Sequence, residues 1–128
     1  MAILFDTHTL LWFLEDSPHL TNQARRIIAE SGAELYFSVV SIEEIAIKHS
    51  LKPELMVCSP SQIRDAAEAS HLKELPFDSN AAIAVGSLLW IHRDPFDRML
   101  IAQAVTTGLK LLSHDDNVLR YGSMTIGY

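Results

Sequence analysis

The amino-acid sequence predicts a three-layer α/β/α fold with a mainly parallel central sheet of four to five strands. Short apolar runs alternate along the chain with longer helical segments, a pattern typical of parallel strands joined by crossover helices. The first run, Ala2-Ile3-Leu4-Phe5, is apolar at every position, as expected for a strand that is buried on both faces. We find no repeat, low-complexity tract or linker in the 128 residues, so residues 1–128 are expected to form a single domain.

In the first half of the chain, breaks and caps mark where the elements begin and end. Asp16-Ser17-Pro18 interrupts the helical segment that follows the first strand. Thr21 is placed to cap the next helix, which is expected to end at Gly32. The spacing of Ser41 and Glu44 matches a capping box, so we expect a helix to begin there. The predicted elements are a strand at 2–5, helices at 9–14 and 22–30, a strand at 34–38, a helix from 41 through 48 and a loop at 51–60.

The most informative segment of the second half is 92–104, where a polar, acid-bearing turn leads directly into an apolar helix. Asp94 can cap this helix, Pro95 suits its first position and Asp97 falls in its first turn. Gly108 is a suitable end for it. The predicted elements are a helix at 61–70, an extended piece at 72–77, helices at 78–89 and 95–107, a strand at 110–113, a short helix at 116–121 and a strand at 124–126.

Four acidic side chains fall at one edge of the predicted sheet. Asp6 follows the first strand, Glu44 lies in the helix after the second, and Asp115 follows the strand at 110–113. Because open α/β sheets bind their ligands at the carboxyl ends of the strands, we expect these acids and Asp97 to meet in one cleft. Clustered carboxylates repel one another, and divalent cations relieve that repulsion. The sequence therefore predicts an acidic metal-binding cleft.

Each of these acids also has a simpler structural interpretation. Glu44 and Asp97 occupy the third position of their predicted helices, where a carboxylate caps the helix and favours its dipole by about 0.3–1 kcal/mol. Asp115 and Asp116 together are also typical of a turn followed by a helix cap. Asp6 is harder to explain in this way, because a carboxylate at the tip of a buried strand must be paired, bound to metal or neutralised.

Composition limits the classes of function that the chain can have. With 48% apolar and 20% charged residues it matches one soluble domain. The single Cys58 excludes an internal disulfide and a cysteine zinc site. No signal-like segment and no apolar run long enough for a membrane span are present, so we expect a cytoplasmic protein. The formal net charge of −6 argues against nucleic-acid binding through a basic surface, unless bound cations supply positive charge at the site.

The segments that carry the four acids resemble a known family. Their most specific part is Asp-Pro-Phe-Asp-Arg at 94–98, which precedes an apolar helix. In their order along the chain they are similar to the PIN-domain ribonucleases, and most similar to the VapC-type toxins of bacterial toxin–antitoxin pairs. The resemblance covers essentially the whole chain and implies a PIN-like fold. The matching segments are Leu4-Phe5-Asp6-Thr7-His8 with Leu11-Trp12, Ser41-Ile42-Glu43-Glu44-Ile45-Ala46-Ile47-Lys48, Asp94-Pro95-Phe96-Asp97-Arg98-Met99-Leu100-Ile101-Ala102-Gln103-Ala104, and Leu112-Ser113-His114-Asp115.

The resemblance implies a divalent-metal-dependent ribonuclease that uses Mg²⁺ or Mn²⁺. The catalytic acids that it implies are Asp6, Glu44, Asp97 and Asp115. Three of them, Asp6, Asp97 and Asp115, are its implied metal ligands. Its auxiliary positions match Asp94, Thr7 and Ser113.

Two positions depart from the family pattern. Ser113 stands where Thr is commoner, a change that keeps the hydroxyl group. Position 43 is Glu where relatives often have an aromatic residue, so Glu43 and Glu44 are both candidates to face the site. The spacing to the following Ile45-Ala46-Ile47-Lys48 favours Glu44.

The chemistry of phosphodiester hydrolysis agrees with an acidic cleft. The reaction needs a nucleophilic water and neutralisation of charge on the phosphoryl oxygens and the leaving group, which hard divalent cations provide. Asp6 would be the shared central ligand, with Asp97 and Asp115 completing the cation positions. Glu44 would bind metal or orient the water. Whether one ion or two is bound stays open.

Basic side chains close to the acids are candidates for contacts with RNA. His92 and Arg93 precede the acidic helix and can reach a phosphate, although a solvated loop is the simpler explanation. Arg98 follows Asp97, where it can contact RNA or pair with an acid. His8 is a candidate base and Lys48 a candidate RNA contact, with packing or surface positions as the simpler alternative for both.

The resemblance also implies two protein partners. One is a small VapB-like antitoxin whose tail covers the cleft, and the other is a second copy of the chain in a homodimer. The run Leu10-Leu11-Trp12-Phe13-Leu14 has more apolar surface than one short helix usually buries, which favours a docking site there. Packing of the whole run into the core is the alternative.

Three other interpretations stay open. The first is a PIN-like nuclease outside a toxin–antitoxin pair. The second is a haloacid-dehalogenase-like phosphatase with Asp6 as nucleophile, a family that has a second Asp where this chain has His8. The third is an inactive PIN-like interaction module, against which the presence of all four acids weighs.

Overall fold

The structure is a computed structural model that describes residues 1–30, 32 and 34–128. Its centre is a parallel sheet whose strands are β1 (Ile3–Phe5), β2 (Leu35–Ser38), β3 (Lys73–Leu75), β4 (Lys110–Ser113) and β5 (Thr125–Gly127). The strands lie in the order β3-β2-β1-β4-β5, and each neighbouring pair is parallel. The predicted α/β class with a mainly parallel sheet is confirmed. Because β1 is the central strand, the residue that follows it, Asp6, lies at the middle of the sheet edge.

Helices pack around this sheet and connect its strands. Within the described residues they are α1 (Thr7–Leu14), α2 (Asn22–Glu30), α3 (Val39–Leu51), α4 (Pro60–Ala69), α5 (Ser79–Val85), α6 (Pro95–Thr107) and α7 (Asp116–Leu119). The predicted loop at 51–60 contains a single 3₁₀ turn at Pro53–Leu55. No helix in the described part of the chain is long and apolar enough to cross a membrane.

Two apolar cores lie on opposite faces of the sheet. Ile3 and Phe5 of β1 pack in one core with Ile63 of α4, whereas Leu4 packs in the other with Leu100 of α6. Successive side chains of a strand point to opposite faces, so this division shows that helices cover both sides of the sheet. The predicted three layers are therefore confirmed.

The predicted start and end of α6 are also confirmed. Oδ1 of Asp94 accepts hydrogen bonds from the backbone N–H groups of Phe96 (2.9 Å) and Asp97 (3.1 Å), and Pro95 is the first residue of the helix. Gly108 ends the helix with a φ of 77°, a left-handed conformation that glycine adopts without strain. This cap places Asp97 in the first turn, at the edge of the sheet.

The predicted capping box at Ser41 is wrong. α3 begins at Val39, directly after β2, because the hydroxyl group of Ser38 accepts a hydrogen bond from Val40 N (2.9 Å) and caps the helix. Ser41 is buried inside α3, where its hydroxyl group is hydrogen-bonded to that of Thr7 (2.9 Å). Glu44 therefore lies in the second turn of α3, and its carboxylate does not cap the helix.

Other boundaries differ from the prediction by a few residues. α1 begins at Thr7 instead of residue 9, because Asp6 caps it through the backbone N–H of Thr9 (2.9 Å). α4 begins at Pro60 after a capping box made by Ser59 and Gln62. The predicted helix at 78–89 ends at Val85, and the one at 116–121 ends at Leu119.

Candidate active site

The acids that the sequence singles out meet at the carboxyl edge of the sheet. Asp6 follows β1, Asp115 follows β4, Glu44 lies on the helix after β2, and Asp97 lies at the start of α6. They line one small cavity of about 90 Å³. Its full lining is Asp6, Thr7, His8, Glu44, Lys48, Asp94, Asp97 and Asp115. The structure thus brings together all four predicted catalytic acids, together with two of the three auxiliary residues.

Asp6 is the most deeply buried of these acids. Its side chain is held by two donors, the backbone N–H of Thr9 on Oδ1 (2.9 Å) and the hydroxyl group of Ser113 on Oδ2 (2.6 Å). Burial raises the pKa of Asp6 above the usual range of an aspartate, and the hydrogen bonds from Ser113 and Thr9 offset only part of that effect. One donor is a backbone N–H group and the other is a buried hydroxyl group, and both are uncharged. Neither contact therefore gives the Asp6 carboxylate a cationic partner. A cation in the cavity would compensate its charge.

Glu44, and not Glu43, faces the cavity. Glu44 is 7% exposed and lines the cavity, whereas Glu43 is exposed and does not line it. Oε1 of Glu44 accepts a hydrogen bond from the hydroxyl group of Thr7 (2.8 Å), and Oε2 accepts one from Nζ of Lys48 (2.5 Å). Lys48 is one helical turn along α3, so it neutralises Glu44 at the rim of the cavity.

The pKa of Asp97 reflects both its burial and the neighbouring acids. The pKa of Asp97 is raised to about 6. Burial is the largest cause, a hydrogen bond from His92 lowers the pKa, and the charges of Asp94, Asp6 and Asp115 raise it. The contributions of these three acids show that negative charge is concentrated around the cavity. His92 Nε2 lies 3.1 Å from Oδ2 of Asp97.

The helix-capping interpretation of Asp115 is correct, but it does not exclude a role in the site. Oδ1 of Asp115 accepts a hydrogen bond from the backbone N–H of Asn117 (2.8 Å) and caps α7. The same side chain lines the cavity. Ser113 does not line it, yet its hydroxyl group joins two of the acids, because it donates to Asp6 and accepts from Asp115 N (3.1 Å).

The donor chemistry of the cavity fits a hard divalent cation. Its carboxylate oxygens are the ligands that Mg²⁺ and Mn²⁺ prefer, and their mutual repulsion is relieved by a cation. In the described part of the chain, no three Asp, Glu, His or Cys side chains are already placed to hold one ion. Several oxygens instead contact donors of the protein, Ser113 on Asp6 and His92 on Asp97 among them. Metal binding by Asp6, Asp97 and Asp115 therefore stays a prediction.

The candidate basic residues differ in their exposure to solvent. Arg93 is exposed beside the cluster, and His8 is exposed with its ring stacked on Trp12 at 5.5 Å between centroids. Arg98 is only 2% exposed, and its guanidinium group donates to backbone carbonyls and to the hydroxyl group of Tyr121. A buried guanidinium that is hydrogen-bonded in this way is not available to a phosphate, so we do not retain Arg98 as an RNA contact. Among the described residues, Arg98 makes no ion pair with an acid either.

Two residues of this region were not among the site residues predicted from the sequence. Ser41 contacts Thr7 beneath the cavity, and the hydroxyl group of Tyr121 lies between Arg98 and His92. Neither has a local sequence signal, because each contact joins segments more than 20 residues apart. Their positions follow from the contact of the start of α1 with α3 and of the segment after α7 with α6.

Fold and cavity together define an α/β domain that gathers carboxylates at the carboxyl edge of a parallel sheet. Residues 3–123 match the family model of the PIN domain, and the chain belongs to the PIN-domain family. The identification made from the sequence is thereby confirmed. PIN domains are nucleases that generally use divalent metal ions, so the protein is a nuclease and not a haloacid-dehalogenase-like phosphatase.

Solved structures of toxin–antitoxin complexes have the same fold. The chain is similar to VapBC2 from Rickettsia felis bound to a DNA fragment from its promoter, with a TM-score of 0.69, 11% identity and coverage of 100% of this chain and 98% of that chain. A toxin–antitoxin complex from Klebsiella pneumoniae has a TM-score of 0.66 and 15% identity, with coverage of 98% of this chain and 96% of that chain. DNA-bound VapBC from Salmonella typhimurium has a TM-score of 0.62 and 20% identity, with coverage of 94% of this chain and 89% of that chain. At these identities the likeness shows the fold. No curated protein matches the chain.

Proposed function

We propose that this chain is the toxin of a type II toxin–antitoxin pair, a cytoplasmic ribonuclease that hydrolyses RNA phosphodiester bonds with Mg²⁺ or Mn²⁺. The observation that carries the proposal is the convergence of Asp6, Glu44, Asp97 and Asp115 on one cavity at the centre of the sheet edge. A carboxylate cluster of this kind is unfavourable without cations, and cations make it suited to phosphate chemistry.

In this proposal each acid has its own role. Asp6, Asp97 and Asp115 hold the cation, and Glu44 binds it or orients the attacking water. When bound, the cation activates that water and neutralises charge on the phosphoryl oxygens. Thr9 N and Ser113 fix the orientation of Asp6, and Thr7 does the same for Glu44.

RNA approaches a surface whose net charge is negative. The chain has a formal net charge of −6, so the cation site supplies the positive charge that attracts a phosphate. Arg93 is exposed next to Asp94 and adds a further charge at the rim. We expect RNA binding by this protein to depend on divalent cations more strongly than RNA binding by a nuclease with a basic surface does.

The proposed partners are a VapB-like antitoxin and a second copy of the chain. A groove of about 480 Å³ lies between α1, α4 and the segment at 55–58, and Trp12 is one of its apolar walls. An amphipathic antitoxin tail fits a groove of this kind. For the homodimer, Ile83, Leu89 and Trp90 are exposed apolar side chains on and after α5 that a second copy would cover.

Cleavage of RNA by the purified protein tests the enzymatic part. We expect cleavage with Mg²⁺ or Mn²⁺ and none with EDTA, and we expect Asp6→Asn and Asp97→Asn each to abolish it and the arrest of growth. Asp116→Asn is the matched control, because Asp116 is exposed beside Asp115 and does not line the cavity. The stability of the metal-free Asp6→Asn protein should hold or rise, since a buried charge is removed. Cleavage at the wild-type rate by either variant would contradict the assignment of that acid.

A further inference from the structure

A chain of hydrogen bonds connects four side chains and ends on Asp97. Nη1 of Arg98 lies 3.0 Å from the hydroxyl oxygen of Tyr121, and that oxygen lies 2.9 Å from Nδ1 of His92. Nε2 of His92 lies 3.1 Å from Oδ2 of Asp97. Tyr121 follows α7, His92 precedes α6, and the other two residues belong to α6. The chain of contacts thus joins three parts of the fold to one predicted metal ligand.

When the imidazole of His92 is neutral, the two ends of this hydrogen-bond network fix the direction of its hydrogen bonds. A guanidinium group can only donate, so Arg98 donates to the Tyr121 oxygen. Among the described residues, that hydroxyl group has one other hydrogen-bonding neighbour, Nδ1 of His92, so its own proton points there. Nδ1 then accepts, and the neutral imidazole carries its proton on Nε2. That N–H group donates to the Asp97 carboxylate, which can only accept.

Arg98 holds a fixed position at one end of this hydrogen-bond network. It is 2% exposed, and its guanidinium group also donates to the backbone carbonyls of Leu89 (2.9 Å) and Val85 (3.2 Å). The ring of Trp90 lies 3.8 Å from the guanidinium carbon and covers one face of the group. With its position set by these contacts, Arg98 directs the Tyr121 hydroxyl group towards His92.

We propose that Tyr121 is a positioning residue for the acidic site. Its hydroxyl group holds His92 in the Nε2–H tautomer, and His92 then holds Oδ2 of Asp97 and leaves Oδ1 for a divalent cation. Oδ1 of Asp97 has no hydrogen bond among the described residues, and the Asp97 side chain lines the cavity. Partners that orient a metal ligand in this way commonly change metal affinity or activity by about 10–100-fold when they are removed.

This role differs from the one that the sequence suggested for His92. As an RNA contact, His92 would need a ring nitrogen free to meet a phosphate. In the structure both nitrogens are engaged, Nδ1 with Tyr121 and Nε2 with Asp97, and the side chain is 12% exposed. His92 therefore acts on the acid, and RNA contact is left to Arg93.

The tautomer of His92 in the metal-free protein tests the proposal directly. Two-bond ¹⁵N–¹H spectra distinguish an imidazole protonated on Nε2 from one protonated on Nδ1, and the spectrum of His92→Gln identifies the signals of His92. We expect His92 to be the Nε2–H tautomer in the wild type and in Tyr36→Phe. In Tyr121→Phe we expect a mixture of tautomers. Tyr36 is the matched control, because its hydroxyl group contacts the exposed Glu34 at the opposite edge of the sheet.

Binding of Mn²⁺ to the metal-free protein, measured by calorimetry, gives the second readout. We expect Tyr121→Phe to weaken it by about 10-fold or more and Tyr36→Phe to leave it unchanged. A wild-type tautomer together with wild-type Mn²⁺ affinity in Tyr121→Phe would overturn the proposal.

A pair of substitutions at His92 keeps the test decisive if Tyr121→Phe fails to fold. His92→Gln retains an acceptor and a donor about as far apart as the two ring nitrogens, and it cannot carry charge. We expect His92→Gln to bind Mn²⁺ within about 3-fold of the wild type, and His92→Leu to bind it about 10–100-fold more weakly. Equal losses in the two variants would overturn a positioning role and favour a role that needs the imidazole itself.

The metal-binding part of this inference rests on the proposed function, but its failure can be recognised separately. If the wild-type protein cleaves no RNA and binds no Mn²⁺, the proposed function fails, whatever the tautomer. If it does both and His92 is not the Nε2–H tautomer, only the role of Tyr121 fails.

Discussion

Oγ of Ser113 lies 2.6 Å from Oδ2 of Asp6, and this hydrogen bond joins the ends of two adjacent central strands. The same hydroxyl group accepts from the backbone N–H of Asp115. One small side chain therefore sets the orientation of the central acid and the start of the loop that carries a second acid. Because Asp6 and Ser113 are 107 residues apart in sequence, their contact depends on the register between β1 and β4.

The first prediction concerns this hydroxyl group. Ser113→Ala removes a donor that lowers the pKa of Asp6, so we expect that pKa to rise further and RNA cleavage to fall by about 10–100-fold. Ser113→Thr keeps the hydroxyl group, and we expect cleavage close to that of the wild type. Single-turnover cleavage at saturating Mg²⁺ is the measurement. Full activity of Ser113→Ala would show that the contact has no part in the reaction.

The second prediction uses two adjacent glutamates as a matched pair. Glu44 is buried at the cavity and Glu43 is exposed on the same helix, so the two substitutions differ in location but not in chemistry. We expect Glu44→Gln to reduce cleavage by about 100-fold or more and Glu43→Gln to change it by less than about 2-fold. Cleavage measured with both variants in parallel decides the assignment. The reverse order of effects would mean that α3 presents Glu43 to the substrate.

The third prediction concerns the stability of the metal-free protein and its dependence on pH. The pKa of Asp97 is raised from 3.8 to about 6, so the folded state binds this proton more tightly than the unfolded chain. The favourable contribution is present below about pH 4 and is lost as the pH rises through about 6. Asp97→Asn removes this loss, and we expect its free energy of unfolding to exceed that of the wild type by up to about 3 kcal/mol at pH 7.5, the free energy that corresponds to a pKa raised from 3.8 to about 6.

Urea unfolding at two pH values checks this expectation. Near pH 4 the wild-type carboxyl group is protonated, so the difference between the two proteins should largely disappear. Burial also raises the pKa of Asp6, but that group is present in both proteins and cancels in the comparison. Mn²⁺ should raise the melting temperature of the wild type and not that of Asp97→Asn. A variant that is less stable than the wild type at pH 7.5 would contradict the proposed repulsion.

Local sequence signals were sufficient to predict α6, whereas features that depend on long-range contacts could not be predicted. Asp94, Pro95 and Gly108 determine the ends of α6 by short-range capping, so the sequence was sufficient there. Ser38 and Ser41 are both suitable caps for α3, and which one is used depends on the direct junction of β2 with the helix. Local spacing cannot distinguish them.

The burial of Arg98 shows a second limit of sequence-based prediction. Next to an acid in a helix's first turn, an arginine is usually exposed, because a lone guanidinium is unfavourable inside a protein. Here Val85, Leu89 and Tyr121 supply its acceptors. They come from segments 9–23 residues away, so no local pattern reveals them. The acid cluster was predictable because three of its members come after strands of a parallel sheet, and the cap at Asp94 fixes the start of the helix that carries the fourth.

The fourth prediction concerns the groove between α1 and α4. Trp12 forms part of its wall and is itself supported by the stacked rings of His8 (5.5 Å) and His19 (5.2 Å). If the antitoxin tail docks there, Trp12→Ala should weaken binding of a tail peptide by about 10-fold or more, as removal of a buried aromatic contact commonly does. The second tryptophan, Trp90, is 75% exposed and outside the groove, so Trp90→Ala should bind the peptide as the wild type does. Titration calorimetry with the three proteins measures both effects. Unchanged affinity after Trp12→Ala would place the antitoxin elsewhere on the surface, whereas a loss confined to Trp90→Ala would locate it beside Arg93.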